Sequence, residues 1–266
     1  MDEGTQTKEE GHGPEFVQSL DRGLAVIRVF GAERSAMTLS EVAREAGLSR
    51  ASARRFLHTL LELGYVGTDG RAFSLRPKVL ELGYAYLTSF DLPEVAQPHL
   101  EELSETVGES ASVAVLDETD IVYVARVATH RIMSAAIRVG TRFPAYVTSM
   151  GRAILSHVPA RDLDAYLGRV TLVPLTRHTV TDPSVLRARL AEARARGWAL
   201  VDQELEEGLR SLAVPLHGAD GAVVGAVNVA APVRRGDVAA IAAELVPPLQ
   251  AAARAIEADL ARVAGR

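Results

Sequence analysis

The fold of this chain is decided by the stretch LSEVAREAGLSRASARRFLHTLLELGYVGTDGRAFSL, residues 39–75. Its first part has apolar residues at the i, i+3, i+4, i+7 spacing of one helix face: Leu39, Val42, Ala43 and Ala46. Ser40 or Thr38 can cap the start of this helix, and Gly47 can end it. The stretch therefore opens with a short amphipathic helix.

A second helix is predicted directly after this turn, with Ser49 as its N-cap. Its buried face consists of Ala53, Phe56, Leu57, Leu60 and Leu61. Two helices joined by a tight glycine turn, with arginines and small residues on the exposed face of the second, are typical of a helix that enters the DNA major groove. We therefore expect DNA contacts from Ser49, Arg50, Ala51, Ser52, Arg54, Arg55 and His58.

A β-hairpin should follow, because residues 65–75 alternate around Asp69-Gly70. It would form the wing of a winged helix-turn-helix, with Arg71 at its tip as a further DNA contact. Residues 49–78 hold six basic residues against two acidic ones, in a chain whose formal net charge is -5. Positive charge is thus concentrated where DNA would bind. The alternative is that this helix face is basic and solvated but does not bind DNA.

The composition indicates two domains, since 266 residues exceed the usual single-domain size and 48% hydrophobic residues can fill two cores. Residues 91–266 hold 18 Lys and Arg against 22 Asp and Glu, so this part has no electrostatic reason to bind phosphate. The absence of cysteine excludes disulfides, thiolate nucleophiles and Cys-based zinc sites. No apolar run is long enough for a membrane span and no signal peptide is recognised, so we expect a cytoplasmic protein.

The predicted organisation has four parts. Residues 1–14 form a disordered leader, 15–76 an α/β winged helix-turn-helix domain, 77–91 a linker helix, and 92–266 a second domain. A first helix over residues 15–30 should pack behind the helix-turn-helix through five apolar residues: Phe16, Leu20, Leu24, Ile27 and Phe30.

The second domain alternates helices and strands without a glycine-rich phosphate loop. Helices are predicted over residues 92–107, 151–158, 162–167 and 182–196, and a final helix is expected to be interrupted or kinked near Pro247-Pro248. Strands are predicted over residues 111–116, 121–127, 133–139, 198–201, 209–216 and 222–229. This mixture indicates an α+β domain with a largely antiparallel sheet.

From Phe16 to about Leu260 the chain resembles the IclR family of transcriptional regulators. Within this family, it resembles the PcaR/PcaU/PobR type, regulators of aromatic-acid breakdown by the β-ketoadipate pathway, in residues 17–27, 52–56 followed by 60–65, 73–84 and 140–145. The resemblance implies that the second domain is a GAF-like effector-binding and oligomerisation domain. It also implies a homodimer or homotetramer on pseudo-palindromic double-stranded operator DNA, controlled by a small carboxylic acid such as β-ketoadipate, protocatechuate or 4-hydroxybenzoate.

The resemblance also implies an effector site. Ser149, Met150 and Gly151 match the family's segment in which a helix N-terminus offers backbone N–H groups to an anion. Asp202 and Ser211 match an acidic position and a position where some members have cysteine. Asn228 and Ala230 stand where relatives often have serine. The alternatives without a ligand-binding role are that Ser149 only caps the helix and that residues 202–207 form a solvated acidic loop.

Three arginines are candidates for binding the effector carboxylate, because a guanidinium can bind a carboxylate through two hydrogen bonds. They are Arg126, Arg138 and Arg142, of which we select Arg138. Each could instead pair with a neighbouring Asp or Glu. Three aromatic residues could line an aromatic-acid pocket or belong to the core or an interface: Tyr123, Phe143 and Tyr146.

Other functions are less well supported by the sequence. The seven histidines include no pair at metal-ligand spacing, and no Gly-x-Ser-x-Gly motif is present. We therefore expect no catalytic residues, no metal site and no cofactor, although a hydrolase site assembled only by folding stays open. An IclR-type regulator sensing another organic acid is a closer alternative. An architectural DNA-binding protein without an effector is disfavoured by the large acidic second domain.

Overall fold

The computed structural model describes residues 13, 15–31, 34–83, 91–129 and 137–264. The chain divides into two compact units, Met1–Tyr86 and Leu87–Arg266. Most of the predicted leader, residues 84–90 of the predicted linker helix and residues 133–136 of a predicted strand lie outside the described residues. No helix in the described ranges has the length and apolar content needed to cross a membrane.

The first unit is the predicted winged helix-turn-helix. Its helices are α1 (Gln18–Arg28), α2 (Leu39–Glu45) and α3 (Arg50–Glu62), and its hairpin strands are β1 (Val66–Thr68) and β2 (Phe73–Leu75). The two strands pair antiparallel, and a short 3-10 helix, Pro77–Leu80, follows them with proline in its first turn.

Local side-chain hydrogen bonds set the boundaries of the helix-turn-helix. Thr38, rather than Ser40, caps α2: it forms a capping box in which its own N–H donates to Glu41 at 2.7 Å. Gly47 takes a left-handed φ of 64°, which turns the chain toward α3. Ser49 then caps α3 by accepting the Ser52 N–H at 3.2 Å.

The predicted packing face of α1 is partly wrong. Val26 and Phe30 are buried, but Leu20 and Leu24 are 61% and 43% exposed, and Phe16 is 42% exposed. A Cβ at Gly23 would lie 3.8 Å from the ring of Phe56, so Gly23 faces α3. Because the helix approaches α3 at this small residue, the neighbouring leucines are rotated out of the core. The helix is also shorter at both ends than residues 15–30.

The second unit is α+β with one antiparallel sheet. Its strands are β3 (Ser110–Asp117), β4 (Asp120–Val127), β5 (Arg142–Pro144), β6 (Ala199–Asp202), β7 (Leu209–His217) and β8 (Val223–Pro232). They lie in the order β5-β4-β3-β8-β7-β6. Its helices are α4 (Leu92–Val107), α5 (Ser149–Leu155), α6 (Ala160–Arg169), α7 (Pro183–Arg196) and α8 (Val238–Ala264).

The two faces of this sheet carry side chains of different size, because side chains alternate along each strand. One face has large residues such as Val113, Leu212 and Val227, which form a core with α4 and α8. The other has Ala114, Ala213 and Ala226, which form a core with α5, α6 and α7. The small residues on this second face leave room above the sheet.

Two predictions for this unit are wrong. The described end of the predicted strand 133–139 is not a strand. The chain turns at Gly140, which has a left-handed φ of 86°, and Gly140 and Thr141 form backbone hydrogen bonds with Tyr123 before the strand begins at Arg142. The predicted interruption of the final helix is also wrong, because α8 continues through Pro247 and Pro248, while the alternative of a kink there stays a prediction. Its buried stripe, including Leu245 and Leu249, continues across the prolines and packs on the sheet.

Candidate nucleic-acid interface and ligand cavity

The predicted basic face of α3 is exposed to solvent. Its exposed residues are Arg50, Ala51, Arg54, Arg55 and His58. Within the described ranges, no carboxylate forms an ion pair with Arg50, Arg54 or Arg55, whereas His58 lies 3.4 Å from Glu62. Exposed guanidinium groups without internal partners can donate to phosphate oxygens or guanine edges.

The start of α3 borders a cleft against α1. Ser49 Oγ donates to Ser52 Oγ at 2.9 Å, so these two serines order the first turn of α3. The cleft is lined by Gln18, Ser19, Arg22, Ser52, Arg55, Phe56 and Thr59. Arg22 therefore adds a cation beside the predicted DNA-binding face, which the helical pattern of α1 alone did not indicate.

The wing turn presents Arg71 to solvent. Asp69 Oδ1 accepts the N–H groups of Arg71 at 2.8 Å and Ala72 at 2.7 Å, and Gly70 has a φ of 91°. These N–H groups, that of Ala72 first, hold the pKa of Asp69 below its usual value. The aspartate is thus engaged in forming the turn, and the Arg71 side chain is left exposed.

The second unit contains a narrow cavity between the small-residue face of its sheet and α5. Its wall consists of Ser110, Tyr123, Arg126, Ile137, Val147, Thr148, Ser149, Val201, Leu205, Leu209, Ser211, Asn228 and Ala230. Ser110, Ala230, Ser211 and Val201 are successive register partners across β3, β8, β7 and β6. Partners in one register row project from the same face, which explains how distant sequence segments form one wall.

Four of the predicted effector residues line this cavity: Ser149, Ser211, Asn228 and Ala230. Ser211 Oγ donates to Ser149 Oγ at 2.7 Å and so links β7 to α5. Asn228 is 5% exposed, and its Oδ1 atom is buried without a hydrogen-bond partner among the described residues. Such an acceptor favours a ligand that donates a hydrogen bond.

The structure does not place Met150 and Gly151 in the cavity wall. Met150 is fully buried in the core beneath α5. A Cβ at Gly151 would lie 2.1 Å from the carbonyl oxygen of Ala145, so this glycine allows α5 to pack against the preceding turn. Thr148, rather than Ser149, caps the helix, because Thr148 Oγ1 accepts the Gly151 N–H at 3.1 Å.

Asp202 and Arg138 also lie outside the wall. Both carboxylate oxygens of Asp202 accept from Arg210, each at 3.0 Å, so this carboxylate is already paired. The Arg138 side chain is exposed on the turn before β5, where its backbone N–H donates to Thr141 Oγ1. Arg142 pairs with Asp117 at 2.5 Å, so of its two predicted roles it has the structural one, pairing with a neighbouring acidic residue.

Among the described residues, Arg126 contributes a guanidinium to the wall. Its Nη1 atom donates to Ser112 Oγ at 2.8 Å, and its Nε atom is buried without a partner among the described residues. Burial lowers the pKa of Arg126 and raises that of the neighbouring Tyr123 to about 12. Tyr123 lines the cavity, whereas Phe143 packs edge-on against it and Tyr146 donates to the Val173 carbonyl at 2.7 Å.

A buried ion pair supports the same wall. Arg152 Nη1 donates to Glu204 Oε1 at 2.7 Å and Nη2 to Oε2 at 2.5 Å, and their side chains are only 2% and 9% exposed. Arg152 Nε also donates to the Tyr146 carbonyl, and the Val180 N–H donates to Glu204 Oε2. The pair therefore joins α5 to the segment that contains Leu205 of the cavity wall.

Comparisons with known proteins identify both units. The family described as IclR helix-turn-helix domain matches residues 19–70, and Bacterial transcriptional regulator IclR C-terminal matches residues 84–258. A relative from Pseudomonas putida, the Pca regulon regulatory protein, is 46% identical over 91% of this chain and 83% of its own length.

Solved structures of transcriptional regulators are also similar to this chain. A putative transcriptional regulator from Rhodococcus sp. RHA1 is 54% identical with a TM-score of 0.83, covering 93% of this chain and 100% of that one. An IclR homolog from Microbacterium hydrocarbonoxydans, complexed with 4-hydroxybenzoate, is 28% identical with a TM-score of 0.80, covering 91% and 99%.

Replacing Glu204 by Ala should strongly destabilise the second unit. Arg152 would remain buried without its counter-charge, which costs about 3–5 kcal/mol of unfolding free energy. Trp198, the single tryptophan, lies in this unit, so its fluorescence during urea unfolding measures the loss. The control is Glu207→Ala, which removes an exposed partner of Arg177 at 3.5 Å and should change stability by less than about 0.5 kcal/mol. Equal, small losses in both variants would show that the buried pair is unimportant.

Proposed function

This chain belongs to the IclR family of bacterial transcriptional regulators, and on that premise we propose that it controls genes of aromatic-acid catabolism in response to a small carboxylic acid. The observation that supports this most strongly is the cavity with a guanidinium and two linked hydroxyl groups in a partly apolar wall. A few polar groups among apolar ones are typical of a small-molecule site. The cavity volume is about 30 Å³, so a small acid can bind there only if the wall moves outward to admit it.

We place operator DNA on the exposed face of α3. Arg50, Arg54 and Arg55 have the reach and donor geometry for base edges or phosphates, and Arg71 would contact the backbone from the wing. Ser49, Ala51, Ser52 and His58 would lie at the same surface. A pseudo-palindromic operator requires two such units, so we propose a homodimer or homotetramer acting in the cytoplasm.

The candidate effectors are β-ketoadipate, protocatechuate and 4-hydroxybenzoate. The Pseudomonas putida relative is a Pca regulon regulatory protein, and the Microbacterium homolog is complexed with 4-hydroxybenzoate. All three candidates are small acids that one guanidinium can bind. We propose that the effector occupies the cavity and contacts Ser149, Ser211 and Asn228, with Ala230 providing space.

Regulation then follows from the position of the cavity between the sheet and α5. An acid that contacts Ser211 on β7 and Ser149 on α5 favours the arrangement of these elements that fits it best. The linker, residues 77–91, would transmit this preference to the DNA-binding unit. The acid can change operator affinity only by its difference in affinity for the two arrangements.

Replacing Arg54 or Arg55 by Ala should weaken operator binding by about 1–3 kcal/mol if the lost contact is bidentate to guanine. Fluorescence anisotropy on the DNA upstream of the protein's own gene, at fixed salt, measures this change. Arg189→Ala is the control, since Arg189 is exposed on α7 and pairs with Glu192 at 3.1 Å. Unchanged affinity in both α3 variants would remove the proposed DNA-binding face.

Adding each candidate acid to the same assay should change operator affinity about 5- to 150-fold for the true effector. The change should depend on the acid, because the cavity wall selects its shape and polar groups. Tight DNA binding that responds to none of the three acids would contradict regulation by these aromatic-pathway acids. It would favour an effector from another carbon pathway.

A further inference from the structure

We propose that Arg126 binds the carboxylate of the effector and that Ser112 is the residue that positions it. This inference rests on the proposed function, because it identifies the anion-binding group of the same cavity. Arg126 replaces Arg138 as the proposed carboxylate-binding residue, because the Arg138 side chain is exposed on the surface.

The sheet register provides the geometry. Arg126 and Asn228 are both register partners of Ser112, on β4 and β8 respectively. These three polar residues therefore form one row across the sheet, and the two at its ends, Arg126 and Asn228, line the cavity. The hydrogen bond from Arg126 Nη1 to Ser112 Oγ fixes the guanidinium at one end of the row. Asn228 Oδ1, an acceptor without a partner among the described residues, lies on the other side of Ser112.

The charge environment of Arg126 differs from that of the other buried or half-buried arginines of the second unit. Arg152, Arg210 and Arg235 have side chains 2%, 6% and 22% exposed, and each pairs with a carboxylate at 2.5–3.0 Å. In the part of the chain that the structure describes, Arg126 has no such partner, and the residues lining the cavity include no Asp or Glu. A partly buried guanidinium without an anion is costly, and a ligand carboxylate would supply the missing charge and acceptor.

The surroundings of Arg126 favour an anionic ligand. Tyr123, Ile137 and Val147 contribute to the same wall and reduce solvation of the site. An ion pair in such surroundings is stronger than one in water. The Tyr123 phenol is neutral at physiological pH, as an ordinary tyrosine is, and burial raises its pKa further, so it does not repel a carboxylate.

The test compares an acid with its own uncharged amide, for example 4-hydroxybenzoate with 4-hydroxybenzamide, by isothermal titration calorimetry. The acid used is the one of the three candidates that binds the unmodified protein. That protein should bind the acid at least about tenfold more tightly than the amide, as expected for a hydrogen-bonded charge pair. Arg126→Gln should bind both ligands with similar affinity, Arg126→Lys should keep part of the preference, and Ser112→Ala should reduce it.

Arg138→Gln is the matched control and should keep the full preference. Because each variant supplies its own ratio of acid to amide affinity, a lower folded fraction does not affect the result, and Trp198 fluorescence checks folding. An unchanged ratio in Arg126→Gln, with tight acid binding, would overturn this inference and leave the proposed function intact. Failure of the unmodified protein to bind any of the three acids would overturn both.

Discussion

The ion pair between Arg152 and Glu204 joins the segments on which the cavity depends. Arg152 lies on α5 and also binds the carbonyl of Tyr146, while Glu204 accepts the N–H of Val180. The threonines before α7 reinforce this junction, since Thr179 Oγ1 donates to the Glu204 carbonyl at 2.7 Å. A buried pair adds little net stability compared with apolar residues, but loss of one partner is costly. We therefore regard its main effect as fixing the distance between α5 and the loop that follows β6.

The arginines on the exposed face of α3 differ in their partners from the arginines that pair with carboxylates in the second unit. In the second unit, Arg142, Arg152, Arg210 and Arg235 bind carboxylates and hold segments together. On α3, the exposed arginines have no internal carboxylate among the described residues and can bind phosphate or bases. Arg126 belongs to the second unit, but like the exposed arginines of α3 it lacks an anionic partner among the described residues. This contrast links both proposed binding sites to one physical principle, the need of a guanidinium for an anion.

The sequence predicts those features that short-range interactions determine. Thr38, Ser49 and Asp69 act on neighbouring backbone N–H groups, so the helix-turn-helix and its wing follow from spacing alone. The face of α1 depends instead on its approach to α3 at Gly23, which spacing does not indicate. The strand at Arg142 likewise depends on pairing with β4 across a glycine turn.

The cavity likewise combines residues that the sequence indicates with residues that only the fold brings together. The resemblance indicated Ser149, Ser211, Asn228 and Ala230, whereas the choice of Arg126 over Arg138 required the register of β3 with β4. Met150 and Gly151 adjoin Ser149 in sequence, but the turn of α5 directs them into the core. Asp202 is conspicuous as an acidic residue, yet its position opposite Arg210 in the sheet register determines its partner.

A crystal structure of the protein with its acid effector would test the central claim, that the acid binds between α5 and the small-residue face of the sheet. We expect the carboxylate within hydrogen-bonding distance of Arg126, and the rest of the ligand beside Ser149, Ser211 and Asn228. Density for the acid elsewhere, for example in the groove between α4 and α8 beside His99 and Pro248, would contradict the claim.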